Sequence, residues 1–124
     1  MKKQRSETPL MVKPFEMAIR IVRLYQYLVT EKKEFVMSKQ ILKSGTNPGA
    51  MVREADNAES PMDFIHKLGI AQKETGETLY WLELLHATDY INGNQFKSLY
   101  KDVEEVMKII RSAILTKKDN LGKR

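Results

Sequence analysis

At 124 residues the chain is long enough for one hydrophobic core and too short for two good ones, so a single domain is expected. Its 42% hydrophobic and 30% charged residues match a soluble globular protein, and no apolar stretch approaches the roughly 20 residues that span a bilayer, which excludes a membrane helix. The absence of cysteine excludes disulfides, a thiol nucleophile and sulfur-rich zinc sites. The basic amino terminus continues into Thr8-Pro9-Leu10-Met11-Val12-Lys13-Pro14 instead of a signal-peptide apolar run, and a cytoplasmic location is expected.

The net charge of +5 is unevenly spread. Residues 1–58 carry eleven Lys/Arg against six Asp/Glu, residues 59–96 two against six, and residues 97–124 eight against four. An acidic middle between basic flanks suits attraction of phosphate backbones, pairing between copies of the chain, or simply a solvated mixed surface.

In chain order, residues 1–12 read as a mobile N-terminal segment and 13–116 as the folded unit, with 117–124 a mobile basic tail. Helix 1 is predicted from about Pro14 to Thr30. Its polar stripe is narrow, while Phe15, Met17, Ala18, Ile19, Ile21, Val22, Leu24, Tyr25 and Leu28 cover most of its circumference. One bundle core does not need that much apolar surface, and the excess points to self-association. Helix 2 is predicted from about Glu34 to Ala58. Its interior holds Ser44-Gly45-Thr46-Asn47-Pro48-Gly49, and proline inside a helix costs about 3 kcal/mol, so a kink or interruption is expected between Gly45 and Gly49. The small residues Ser38, Ser44, Gly45, Gly49 and Ala50 offer a second reason for that composition, close helix approach.

Helix 3 has the clearest start: Ser60 caps, Pro61 suits the first helical position, and Asp63 completes a capping-box-like spacing. It is expected to reach Ile91, where Asn92-Gly93-Asn94 supplies a glycine able to take positive φ and a fresh cap at Asn94. Ile70, Trp81 and Leu84 form a second apolar strip off its Ile65, Leu68, Leu79, Leu82 face. Helix 4, from about Gln95, is plainly amphipathic, with Phe96, Leu99, Val103, Val106, Ile110 and Ala113 on one side. Short connections favour antiparallel neighbours, which predicts an all-α, up-down-up-down four-helix bundle.

Candidate chemistry is sparse. Glu83-x-x-His86 and Asp63-x-x-His66 have metal-ligand spacing, but both lie on helix 3 about 30 Å apart at 1.5 Å per residue, so they cannot share an ion within one protomer. The glycines of helix 2 lack the Lys-Ser/Thr ending of a phosphate-cradling loop, and Glu74 and Glu77, one turn apart, read as an exposed pair rather than an acid/base dyad. No catalytic residue, metal or cofactor is predicted. The remaining signal is basic residues at helical spacing: Arg20 and Arg23, Lys39, Lys43 and Arg53, and Arg111, suited to phosphate contact without base readout.

Several blocks in order, from Phe15-Glu16-Met17-Ala18-Ile19-Arg20-Ile21-Val22 through Ser38-Lys39-Gln40-Ile41-Leu42-Lys43-Ser44-Gly45-Thr46 and Phe64-Ile65-His66-Lys67-Leu68-Gly69-Ile70 to Tyr80-Trp81-Leu82-Glu83-Leu84-Leu85, resemble the bacterial four-helix bundle proteins of the 23S rRNA intervening-sequence type. The resemblance implies a ring-shaped homopentamer. It also implies kinship with accessory proteins of diversity-generating retroelements, basic rings that bind nucleic acid and a reverse transcriptase, a nucleic-acid-processing protein. Where that family usually reads Gly-Thr-Ser-Ile-Gly-Ala-Asn, this chain has Gly45-Thr46-Asn47-Pro48-Gly49-Ala50-Met51, which introduces the proline and removes a polar Asn. Two readings result. One is a non-enzymatic, ring-forming protein that contacts RNA or DNA phosphates through the six basic residues. The other is a homo-oligomeric protein-interaction scaffold without nucleic acid, whose interface is Ile70, Glu74, Glu77, Trp81 and Leu84.

Overall fold

The computed structural model describes residues 7–123. Four helices follow one another: α1 (Pro9–Thr30), α2 (Met37–Asp56), α3 (Pro61–Ala87) and α4 (Gly93–Gly122). Each packs on two others in the cyclic order α1, α2, α3, α4, while the backbones of the diagonal pairs stay farther apart. Along α1 and α4, Lys13 meets Glu105 while Arg20 meets Asp102. Along α2 and α3, Ser44 meets Thr78 while Glu54 meets Lys67. Gly45 lies against Ile21 and Gly49 against Pro14; Phe96 stacks on His86 while Lys117 covers Phe64. Positions that rise along one helix fall along its neighbour, so adjacent helices run antiparallel in an up-down-up-down bundle.

The core sits where the four apolar stripes meet, with Ile21, Leu28, Ile41, Leu68, Leu82, Leu85 and Ile110 shut off from solvent. The apolar face expected for helix 4 is the packed one: Leu99, Val103, Val106 and Ile110 are buried, with Phe96 and Ala113 at its edge. The hydroxyls of Ser38 and Thr75 are also buried and donate to the Glu34 and Ala71 carbonyls, so the core carries no unmet side-chain polar atom among the described residues.

Helix ends follow local chemistry. Ser60 Oγ accepts the Asp63 N–H at 3.0 Å with Pro61 next, as the sequence predicts. The other three starts differ from expectation. α1 begins at Pro9, not Pro14, because a proline at the first position needs no N–H partner and Leu10 and Met11 pack against the core; residues 9–12 are therefore helical, and residues 1–6 lie outside the described residues. α2 begins at Met37 because the buried Glu34 carboxylate turns forward and accepts the N–H groups of Val36, Met37 and Ser38, the last at 2.8 Å. α4 is capped by Asn92, not Asn94: Asn92 Oδ1 accepts the Gln95 N–H and Gln95 Oε1 accepts the Asn92 N–H, both at 2.8 Å. No described glycine has positive φ; the turn after α3 places that conformation at Asp89 (φ 67°), and α3 ends at Ala87 rather than Ile91.

α2 is not interrupted. It runs helical through Gly45, Pro48 and Gly49, with Pro48 buried. The proline removes the bond to the Ser44 carbonyl, but the two flanking glycines let α1 lie directly on this segment: a Cβ on Gly45 would fall 2.6 Å from Ile21 Cγ1. The close-approach reading holds for Gly45 and Gly49, whereas Ala50 faces outward. At the other end of the chain, α4 continues through 117–122, residues set apart from the bundle by sequence, and Lys117 lies 4.7 Å from the Phe64 ring centroid.

Candidate nucleic-acid interface

Lys39, Lys43 and Arg53 are exposed on α2, on the side away from Ile41, Ser44, Pro48 and Val52. With Thr46 and Ala50 they follow the alternating four- and three-residue spacing that keeps side chains on one helix face. The result is a basic row whose middle is small. Arg53 is fixed at one end by its guanidinium, 5.1 Å from the Phe15 ring centroid on α1.

Phe15 opens a second row. Phe15, Ile19 and Val22, spaced by four and three residues, are exposed to 50%, 45% and 36%, an apolar stripe on the outer face of α1. It corresponds to the excess apolar circumference of helix 1. Beyond the stripe, toward α4, come Arg20 and Arg23. Arg23 is exposed and its guanidinium donates to Gln26 Oε1 at 3.4 Å. Arg20 is different: it bonds Asp102 at 2.6 Å and donates to the Ser98 carbonyl and hydroxyl, which clasps α1 to α4. Beside it Lys13 bridges to Glu105 at 3.3 Å, and that hydrogen bond, with the charges of Glu105 and Glu16, raises the Lys13 pKa.

Five of the six predicted phosphate ligands therefore lie on α1 and α2. Arg111 is exposed on α4, diagonally across from α2, and does not join the row.

The residues expected at an oligomer contact form one stripe of α3 at spacings of four and three, and all are half-buried by their own chain. Trp81 packs against the core and donates its indole N–H to Glu77 Oε1 at 3.1 Å, with the exposed Tyr80 ring edge-on at 5.1 Å. The metal-spaced pairs do other work. His86 stacks on Phe96 at 4.5 Å, Asp63 takes part in the α3 cap, and His66 is exposed. No group of three or more His, Cys, Asp or Glu gathers among the described residues. Tyr100 has its pKa raised by burial first and then by the negative charges of Glu83 and Glu104. No described helix is long and apolar enough to cross a membrane.

Fold and surface together define a four-helix bundle with a basic, partly apolar outer face on its first two helices. The chain belongs to the 23S rRNA-intervening sequence protein family, whose model matches residues 8–112. It is similar to a solved protein of unknown function from the S23 ribosomal protein family of Bacteroides thetaiotaomicron, at 55% identity and a TM-score of 0.84, over 85% of this chain and 97% of that one. No curated protein matches it.

Proposed function

We propose that this chain is a non-enzymatic, ring-forming binding protein that contacts RNA or DNA phosphates. The observation that carries the reading is the exposed row Lys39, Lys43 and Arg53 on one face of α2, with Arg23 exposed on α1 beyond the apolar stripe. Lysine and arginine on a convex helix face meet phosphate oxygens without reading base edges, so binding is driven by counterion release and is indifferent to sequence. Arg20 supports this face by holding α1 against α4. Titration of a generic duplex at about 50 and about 200 mM salt tests the reading: affinity falls by orders of magnitude if several phosphates are neutralised. Binding that ignores salt, or no binding at low salt, overturns it.

A second reading, the homo-oligomeric scaffold, is favoured by the exposed Phe15, Ile19 and Val22 stripe. Flanked by cations, it complements the α3 stripe, where Glu74 and Glu77 lie between Ile70 on one side and Trp81 and Leu84 on the other. A head-to-tail contact between the two surfaces generates a ring when its rotation closes, a pentamer on the family resemblance. The readings separate on one measurement, solution mass with and without nucleic acid at low salt.

A further inference from the structure

The groove between α1 and α4, beside the turn that opens α4, has a chemistry the phosphate row lacks. It encloses about 350 Å³ and is lined by Arg20, Arg23, Leu24, Tyr27, Gln95 and Leu99, with Ile19 at its edge. The floor is apolar, since Leu24 and Leu99 are each only 7% exposed. Lys32, outside the lining, lies 5.9 Å from the Tyr27 ring centroid. Asp102 is the carboxylate bonded at this wall, and it is engaged by Arg20.

We infer that this groove is a binding site for one nucleotide, taken either free or as an unstacked unit of a single strand. The phosphate goes to Arg23, beside the Arg20 guanidinium that Asp102 and Ser98 clasp. The base lies over the Leu24 and Leu99 floor against the Tyr27 ring, because every base offers an apolar π-face. Gln95 spends its Oε1 on the Asn92 N–H, which fixes the carboxamide and leaves its NH2 group as a donor for a base-edge acceptor. The size agrees: about 350 Å³ stands at the small end of ligand sites, which run from roughly 300 to 1,000 Å³, and suits a mononucleotide rather than a larger cofactor. The assignment rests on the phosphate-binding reading for Arg23 and adds to it an aromatic partner and a place.

The test is calorimetric titration of the full chain with adenosine monophosphate, with a short oligoadenylate and with inorganic phosphate, while following the methyl resonances of Leu24 and Leu99. Adenosine monophosphate shifting those methyls supports a free nucleotide; only the oligoadenylate shifting them supports a strand-borne one. In either case Arg23→Gln and Tyr27→Leu each weaken binding roughly tenfold or more, and Lys39→Gln leaves the methyl shifts in place. Arg23 is exposed, so its variant folds even if Tyr27→Leu does not. Inorganic phosphate binding as tightly as the nucleotide overturns the assignment, as do unmoved methyls. Oligoadenylate binding that is salt-dependent but leaves the methyls unmoved removes the groove and keeps the phosphate row; no binding of any probe removes both.

Discussion

Ile21 occupies the space that a side chain on residue 45 would need: a Cβ on Gly45 would lie 2.6 Å from Ile21 Cγ1 and 2.7 Å from Cγ2. One turn further along α2, a Cβ on Gly49 would meet the Pro14 carbonyl oxygen at 3.6 Å, an ordinary contact. The two glycines therefore respond oppositely to alanine. Gly45→Ala forces α1 away from α2 and lowers stability by about 1–3 kcal/mol, less a gain of up to about 1 kcal/mol in helix propensity. Gly49→Ala keeps the packing and gains that propensity alone. Urea midpoints of the two variants, falling for the first and rising for the second, check this.

Glu34 holds the start of α2. Its carboxylate is buried, which by itself raises the pKa, but the N–H groups of Ser38, Met37 and Val36 outweigh burial and bring the pKa below its ordinary 4.5. A folded-state value below the unfolded one stabilises the fold fully above the ordinary carboxylate pKa, and that stabilisation is lost as pH falls through the depressed value. Neutral pH keeps all of it. Glu34→Ala leaves three N–H groups unmet at the helix start and lowers stability by about 1–2 kcal/mol at pH 7. Glu34→Gln flattens the acid limb of a stability-against-pH curve; an unchanged limb means another carboxylate sets it.

Local signals explain which parts of this fold were legible in the sequence. Ser60-Pro61-Met62-Asp63 encodes its own helix start, because the cap and the N–H it accepts lie three residues apart. The amphipathic period of α4 encodes its own buried face. What escaped the sequence depends on partners elsewhere in space. Pro48 reads as a break until α1 is laid over Gly45, and the forward turn of Glu34 depends on Lys33 at φ 52° and on the Glu34 N–H reaching the Leu28 carbonyl. Arg20 reads as a free cation until Asp102, 82 residues away, is brought beside it. The excess apolar circumference of α1 was visible, yet which of its residues stay outside, Phe15, Ile19 and Val22, depends on where α2 and α4 dock.

Ser44 and Thr78 share a buried hydrogen bond of 2.9 Å between α2 and α3. Each hydroxyl also reaches a carbonyl of its own helix, Ile41 for Ser44 and Glu74 for Thr78, so Ser44→Ala or Thr78→Val loses only the cross-helix bond and lowers stability by about 0.5–1.5 kcal/mol. Removing both loses that same bond once. The double variant therefore loses less than the sum of the singles, a coupling readable in a double-mutant cycle of denaturant midpoints.

Lys39, Lys43 and Arg53 act as separate phosphate ligands if the basic row binds nucleic acid. Replacing all three by Gln lowers the slope of log affinity against log salt by about 0.9 for each phosphate of duplex DNA that is no longer neutralised. Their exposure means that stability changes little. Arg111→Gln, on the diagonal helix, leaves the slope as it was; a decrease there equal to that of Lys39→Gln places the nucleic acid on α4 instead.

The apolar stripe on α1 sets the last expectation. Three large apolar side chains in line, at 36–50% exposure, are poorly placed in water, and burial contributes about 25 cal/mol for each Å² removed from solvent. Light scattering is therefore expected to give a mass above the 14.4 kDa protomer. Ile19→Asp, which introduces a charge without touching the Arg53 and Phe15 pair, lowers that mass while helical content by circular dichroism stays the same. Reversing Glu74 and Glu77 to Lys tests the opposite side, because cations on α3 repel a basic α1 and α2 face. Both changes dissociate the assembly if the two stripes meet. Dissociation by Ile19→Asp alone instead pairs the stripe with itself across a two-fold axis, which closes a dimer and not a ring.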